Sequence, residues 1–198
     1  MIYGTHNSAT GGRLVWWLRP LAWVINPTSK CQSRTIKQQL EDGVKLFNLQ
    51  IAYDGERWYF SHGLALYKED VIETIAMMRA CATAKEPIYF QLYLDKSYWH
   101  KQDVYMFSRL VADLRAEWCD KSFVMLCAWV EGCNNYPYRR KEQLNAEEHY
   151  WTAAWAKVNA KSWLDKLPLP RRHAKRWNAT YRVNCKSEYL MLDYYELG

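Results

Sequence analysis

The chain of 198 residues has room for one domain with a substantial core but not comfortably for two, and its 49% hydrophobic and 24% charged content excludes a disordered or fibrous protein. A net charge of +6 suits phosphate-bearing or membrane-surface partners, although ordinary solubility accounts for it equally well. No apolar run is long enough to cross a bilayer: the nearest, residues 14–25, is interrupted by Arg19 and Pro20.

A first, very short strand is expected over residues 1–5. Residues 14–30 read as an apolar loop or broken helix punctuated by prolines. Ser33 can cap a helix running to Asp42, which Gly43 then ends from the C′ position. Residues 44–52 alternate as a strand, with Leu46, Asn48 and Gln50 on one face and Lys45, Phe47 and Leu49 on the other. Asp54-Gly55 is a hairpin turn, and 58–62 is the return strand. Val71, Ile72, Ile75, Met78 and Cys81 recur at helical spacing and predict a helix over 69–84.

Farther on, a strand is predicted over 87–94, an amphipathic helix over 103–118 and a near-continuous apolar strand over 122–130. Residues 144–167 read as a helix with Trp151, Trp155 and Trp163 on one face, stopped by Pro168 and Pro170. The basic run Arg171 to Arg176 reads as a solvated loop with phosphate or membrane attraction as the alternative, and strands over 180–185 and 189–195 close the chain. This βα alternation implies an α/β fold built on a parallel sheet, open or closed into a TIM-type (β/α) barrel. Such barrels usually take about 250 residues, so a compact or incomplete barrel over residues 1–198 as a single domain is expected.

The cysteines at 31, 81, 119, 127, 133 and 185 form no metal-ligand spacing. With only Met1-Ile2-Tyr3 before the first motif, no export signal is expected, so the thiols read as free and the protein as cytoplasmic.

Functional groups of a βα barrel gather where strands end at the carboxyl face. His6 and Asn7 follow the first strand, Asn48 and Gln50 end the second, and His62 ends the third. Asp95 follows the fourth, and Asp193 lies inside the last, Leu190 to Tyr195. Two histidines on one rim are what acid-base chemistry on a phosphodiester needs, one to take a proton and one to give it. Asp193, in an apolar strand, reads either as a buried hydrogen-bonded carboxylate or as the partner that fixes the His6 tautomer, and Asp95 reads either as a solvated loop residue or as support for His62. His100, His149 and His173 carry no surrounding motif and read as surface residues.

Gly4-Thr5-His6-Asn7-Ser8, then Gln39 to Gln50, then Ser61-His62-Gly63 resemble the catalytic X domain of phosphatidylinositol-specific phospholipase C. Strict motif matching covers residues 4–63, and the remainder matches in pattern only. The resemblance implies a PLC-like phosphodiesterase in which His6 is the general base on the inositol hydroxyl next to the phosphate. His62 is then the acid that protonates the departing diacylglycerol oxygen, and the product is a cyclic phosphate. The family carries a positive charge at the end of the second strand, an arginine or a calcium ion; here the neutral Asn48 and Gln50 stand there.

Calcium on Asn7, Asn48, Gln50 and one carboxylate is a poor site, because calcium prefers several carboxylates, so no cofactor and no metal are expected. The expected partner is a phosphodiester substrate, a phosphoinositide at a membrane surface. A nucleic-acid role has no motif to support it. A monomer is expected. The alternative is a PLC-like barrel that has lost turnover and binds phosphoinositides or other phosphate ligands. The aromatic stretches Trp16-Trp17-Leu18 and Leu21-Ala22-Trp23-Val24 read first as core packing. In the resembled family such a loop on the rim would instead dip into a lipid interface.

Overall fold

The computed structural model describes residues 2–95, 103–130, 167, 169–184 and 189–197. Among these residues seven strands form one sheet: β1 (Ile2–Thr5), β2 (Leu46–Tyr53), β3 (Trp58–His62), β4 (Ala65–Asp70), β5 (Ile88–Leu94), β6 (Phe123–Val130) and β7 (Tyr189–Leu192). Five of them run parallel in the order β7-β1-β2-β5-β6, which curls into a half-barrel. β3 and β4 extend this sheet as an antiparallel meander from the far end of β2. The reason is loop length: only residues 54–57 link β2 to β3, and so short a connection permits a hairpin but no parallel crossover. Asp54 ties the turn by accepting from the backbone N–H groups of Glu56 and Arg57.

Strand β4 is not predicted: the sequence pattern assigns residues 63–68 to no element and begins the next helix at 69, whereas β4 runs to Asp70 and the helix begins at Val71. The strand follows a tight turn at Gly63, whose φ of 58° suits glycine. Among the described residues five α-helices accompany the sheet: α1 (Ala22–Ser29), α2 (Ile36–Glu41), α3 (Val71–Cys81), α4 (Asp103–Asp113) and α5 (Pro170–Asn184). The N-cap of α2 is Thr35 rather than Ser33. Its hydroxyl accepts from the Gln38 N–H while the Gln38 side chain returns to the Thr35 backbone, a reciprocal box that Ser33 stands too early to make. Gly43 ends this helix as expected, at φ 86°.

The predicted strand over 180–185 and the predicted loop at 171–176 are both replaced by α5, which Pro170 begins. A proline is tolerated in the first helical turn because its missing N–H has no partner there. The inward face of α5 carries His173, Ala174, Asn178 and Tyr181, all buried. Two of these four are polar, so no apolar stripe announces the helix, and His173 lies inside rather than on the surface. The helix predicted over 144–167 lies almost wholly outside the described residues.

Alternation along the strands sets the interior of the half-barrel. Leu46 and Met191 are fully buried at its base, with Ile2, Tyr89, Leu126 and Tyr189 packed against them. Asn48 and Gln91 form the next level, paired in register on β2 and β5. The opposite face of β2 and β5, with Phe47, Leu49, Ile51, Phe90 and Leu92 fully buried, belongs to the main core with Val71, Ile75 and Met78 of α3. Each such side chain contributes about 1.5–3 kcal/mol by leaving water.

Gly4 has a steric role in this interior. A methyl group added there would lie 2.7 Å from Leu46 Cβ and 2.8 Å from the Leu46 carbonyl oxygen, across the β1–β2 pairing. Gly4→Ala is therefore expected to destabilise the fold by about 2–3 kcal/mol through overpacking. An unchanged thermal midpoint in a melting experiment would show that the two strands can separate freely.

Candidate active site

His6 follows β1 at the carboxyl end of the half-barrel, its N–H still donating to Leu192 O of the neighbouring strand at 3.1 Å. Asp193 stands one residue beyond β7 rather than within a strand to 195, because Tyr194 turns the chain away at φ 41°. The two side chains meet: His6 Nδ1 donates to Asp193 Oδ1 at 2.8 Å, with Asp193 0% and His6 14% exposed. A carboxylate can only accept, so the shared ring proton sits on Nδ1, the tautomer that a general base acting through Nε2 requires.

Residues that sequence reading passed over hold this pair in place. Gln32, completely buried, donates from Nε2 to the carbonyls of His6 (2.8 Å) and Leu192 (2.7 Å), bracing the ends of β1 and β7 together. Without it the His6 carbonyl loses this partner, at about 1–3 kcal/mol, while Leu192 O keeps the His6 N–H. Asn178 of α5 places Nδ2 within 2.7–3.2 Å of the carbonyls of Asp193, Tyr194 and Leu197, which fixes the turn that carries the carboxylate. Gln39 donates to the carbonyls of Ser8 and Arg34 and accepts from the Thr5 hydroxyl, pinning the loop after His6. It opens the second sequence motif, where no role is given to it, and it lies on the face of α2 that Ile36 buries.

His62 arrives by the antiparallel hairpin at the end of β3. Its ring centre lies 6.3 Å from that of His6, edge to face at 77°. A single phosphodiester between them can reach both rings. The partner at His62 Nδ1 is a main-chain carbonyl: the ring donates to Ser29 O at 2.7 Å, and Cys31 Sγ lies 3.7 Å away. Asp95 is not among the partners of His62. It is buried at the end of β5, neither solvated nor placed against the histidine, and its N–H donates to Ile51 O.

Burial, the largest influence, pushes the His62 pKa below 6.5, partly opposed by the Ser29 carbonyl. The neighbouring His6 lowers it further and Asp193 raises it. The folded value lies below the unfolded one, so this contribution to stability is complete above pH 6.5 and is lost as pH falls toward the folded value. An NMR titration of the His62 ring is expected to show a midpoint below 6.5, and a midpoint at or above that value would contradict the burial argument. Cys31, buried beside Asp193, has its thiol pKa raised well above the usual value by burial and by that carboxylate. Tyr194 is pushed up to about 12 by burial first and by Cys31 next.

The remaining predicted residues are partly committed to structure. Asn7 takes a left-handed conformation at φ 46°, and its side-chain amide donates to Cys31 Sγ at 3.6 Å. Asn48 accepts from the Asn7 N–H at 3.2 Å and donates to Gln91 Oε1 at 3.2 Å, so its carboxamide ties three elements together. Gln50 is half-buried, and among the described residues its Oε1 has no hydrogen-bond partner.

Around the rim, Lys30, Arg171 and Arg172 line a cavity of about 550 Å³ with Trp23, Asn26, Pro27 and Tyr194. The Arg171 guanidinium lies 6.0 Å from the centre of the Tyr194 ring. The aromatic stretches do not fill the core as first read: Trp16 is 73% exposed in the 3-10 helix Trp16–Leu21, which buries no residue, and Trp23 is 79% exposed because α1 buries only Ile25 and Ser29. Among the described residues no helix is long and apolar enough to cross a membrane.

Solved structures share this fold. Phosphatidylinositol-specific phospholipase C from Listeria monocytogenes superimposes with a TM-score of 0.58 at 16% identity, over 98% of this chain and 87% of that one. A double-mutant form of the Staphylococcus aureus enzyme gives 0.59 at 13% identity, over 98% and 84%. Another S. aureus structure, from work on its membrane binding, gives 0.60 at 12% identity, over 98% and 85%. The chain has a phospholipase C-like fold. No family model and no curated protein matches the sequence. At these identities the likeness concerns the fold, a mixed α/β partial barrel.

Proposed function

We propose that this PLC-like protein is a phosphoric diester hydrolase of the phosphatidylinositol phospholipase C type, related to the X domain. The observation that carries the reading is the His6–Asp193 pair at 2.8 Å facing His62 across 6.3 Å at the carboxyl end of the half-barrel. In this mechanism His6 Nε2 takes the proton from an inositol hydroxyl adjacent to the phosphate, and the resulting imidazolium is stabilised by Asp193. The hydroxyl oxygen attacks phosphorus and closes a cyclic phosphate. His62, protonated, gives its Nε2 proton to the departing diacylglycerol oxygen while Ser29 O holds Nδ1–H. No metal takes part, and Gln50, Asn48 and Asn7 contact the substrate through neutral groups.

The substrate is drawn from a membrane surface. Exposed Trp16, Trp17 and Trp23 suit the interfacial layer of a bilayer, and Lys30, Arg171 and Arg172 beside them suit anionic head groups. Free thiols at Cys31, Cys81, Cys119 and Cys127 fit a reducing, intracellular compartment.

Release of water-soluble phosphate products from phosphatidylinositol vesicles tests this reading, with calcium and with chelator. Turnover that resists the chelator supports it, and calcium dependence overturns the metal-free mechanism. The neutral Asn48 and Gln50 favour a second reading, a barrel that binds phosphoinositides without cleaving them. Vesicle binding without product would select it.

A further inference from the structure

We propose that His6, Cys31 and Asp193 form a binding site for a borderline-soft divalent cation of the zinc class, and that an ion held there switches the site off by occupying His6. Cys31 comes from the loop between α1 and α2 and plays no part in the proton transfers above. Yet one donor atom each from His6, Cys31 and Asp193 lie within 4.8 Å of one another. Zinc bonds of about 2.0–2.3 Å in a tetrahedron place donor atoms about 3.3–3.7 Å apart. Drawing these three around an ion therefore needs side-chain adjustments of an ångström or so, with the His6–Asp193 contact opening from its 2.8 Å.

The donor types select the metal. A thiolate, an imidazole and one carboxylate suit zinc and its neighbours, whereas calcium and magnesium want oxygen alone. Cys31 and Asp193 are already out of water, at 1% and 0% exposure, so little dehydration of the ligands remains. Their surroundings hold them in place: Asn7 Nδ2 donates to Cys31 Sγ at 3.6 Å, Thr10 Oγ1 accepts from the Cys31 N–H at 2.9 Å, and Asn178 fixes the Asp193 turn. Three protein ligands leave a fourth position for water or a phosphate oxygen.

Either mode of coordination removes the base. An ion on Nδ1 leaves the ring proton on Nε2, and an ion on Nε2 takes the lone pair itself. The binding half of the proposal stands on the side chains alone; the inhibition half rests on the phosphodiesterase reading.

Cobalt(II) added to metal-stripped protein is the direct probe. Wild type is expected to develop a thiolate-to-cobalt charge-transfer absorption that zinc then displaces. The band is expected to vanish in Cys31→Ser and Cys31→Ala and to persist in Cys81→Ser, whose thiol is exposed. Zinc affinity, read by competition with a chromophoric chelator, is expected to fall roughly a hundredfold in Cys31→Ser and in His6→Ala. Circular dichroism would confirm that each variant is folded. A spectrum without the thiolate band, or equal zinc affinity in wild type and variants, would overturn the site.

The inhibition half is read from turnover on phosphatidylinositol vesicles, which zinc should suppress and a chelator restore. Unchanged turnover by the zinc-loaded protein would overturn it. A protein that binds cobalt through Cys31 but cleaves nothing would retain the metal site while losing the phosphodiesterase reading and the inhibition with it.

Discussion

Turnover is expected to fall by about 10³-fold in His6→Ala and by a comparable factor in His62→Ala, since a positioned acid or base contributes roughly 10²–10⁴ in rate. Asp193→Asn should cost up to about 10⁴-fold, although it removes no atom that touches substrate. An amide at 193 can present its N–H₂ group to His6 Nδ1, which moves the ring proton to Nε2 and leaves no lone pair facing the substrate. Asp193 is completely buried and its backbone is held by Asn178, so the substituted side chain has nowhere else to turn. Initial rates on phosphatidylinositol vesicles, with folding checked by circular dichroism, would measure all three. A folded Asp193→Asn variant within about threefold of wild type would remove the dyad from the mechanism.

Gln50→Arg is expected to raise turnover by about a hundredfold. Negative charge develops on the phosphate oxygens as the attacking hydroxyl loses its proton, and a positioned cation in a half-buried site stabilises it by about 3–4 kcal/mol relative to a neutral donor. Gln50 stands near the end of β2, two residues past Asn48 on the inner face, and its Oε1 meets no partner among the described residues. The position can therefore be recharged without breaking a hydrogen bond, in contrast to Asn48, which joins Asn7 to Gln91. The rate of the variant against wild type decides the matter. A folded Gln50→Arg with unchanged or lower turnover would place the cation elsewhere, and Arg171 and Arg172 on the adjoining cavity would be the next residues to neutralise.

Much of this site was legible because strand periodicity is local. The alternation of Leu46, Asn48 and Gln50 put a polar ladder on the inner face of β2, and the structure keeps Asn48 and Gln91 in register there. The Gly43 stop, the Asp54-Gly55 turn and helix α3 followed from local backbone preferences in the same way. Helix α5 was missed because its inward face carries the buried polar residues His173 and Asn178, the latter bonded to carbonyls of the turn after β7, and these erase the apolar stripe that marks a packed helix. The exposed tryptophans at 16 and 23 were misplaced for the opposite reason: apolar composition cannot tell a core from a rim.

The sequence by itself determined the alternation of strands and helices and the two histidine motifs at 6 and 62, whereas the steric need for glycine at position 4 follows from the β1–β2 register that sets it beside Leu46. Only the tertiary structure decided who stands behind each histidine. His6 meets a carboxylate 187 residues away, His62 rests on the Ser29 carbonyl instead of an acid, and the buried Cys31 thiol lies between them. Periodicity records which face a residue presents to its own strand or helix. A single polar contact between chain-distant residues depends on strand register and loop path, and leaves no repeating trace in the sequence.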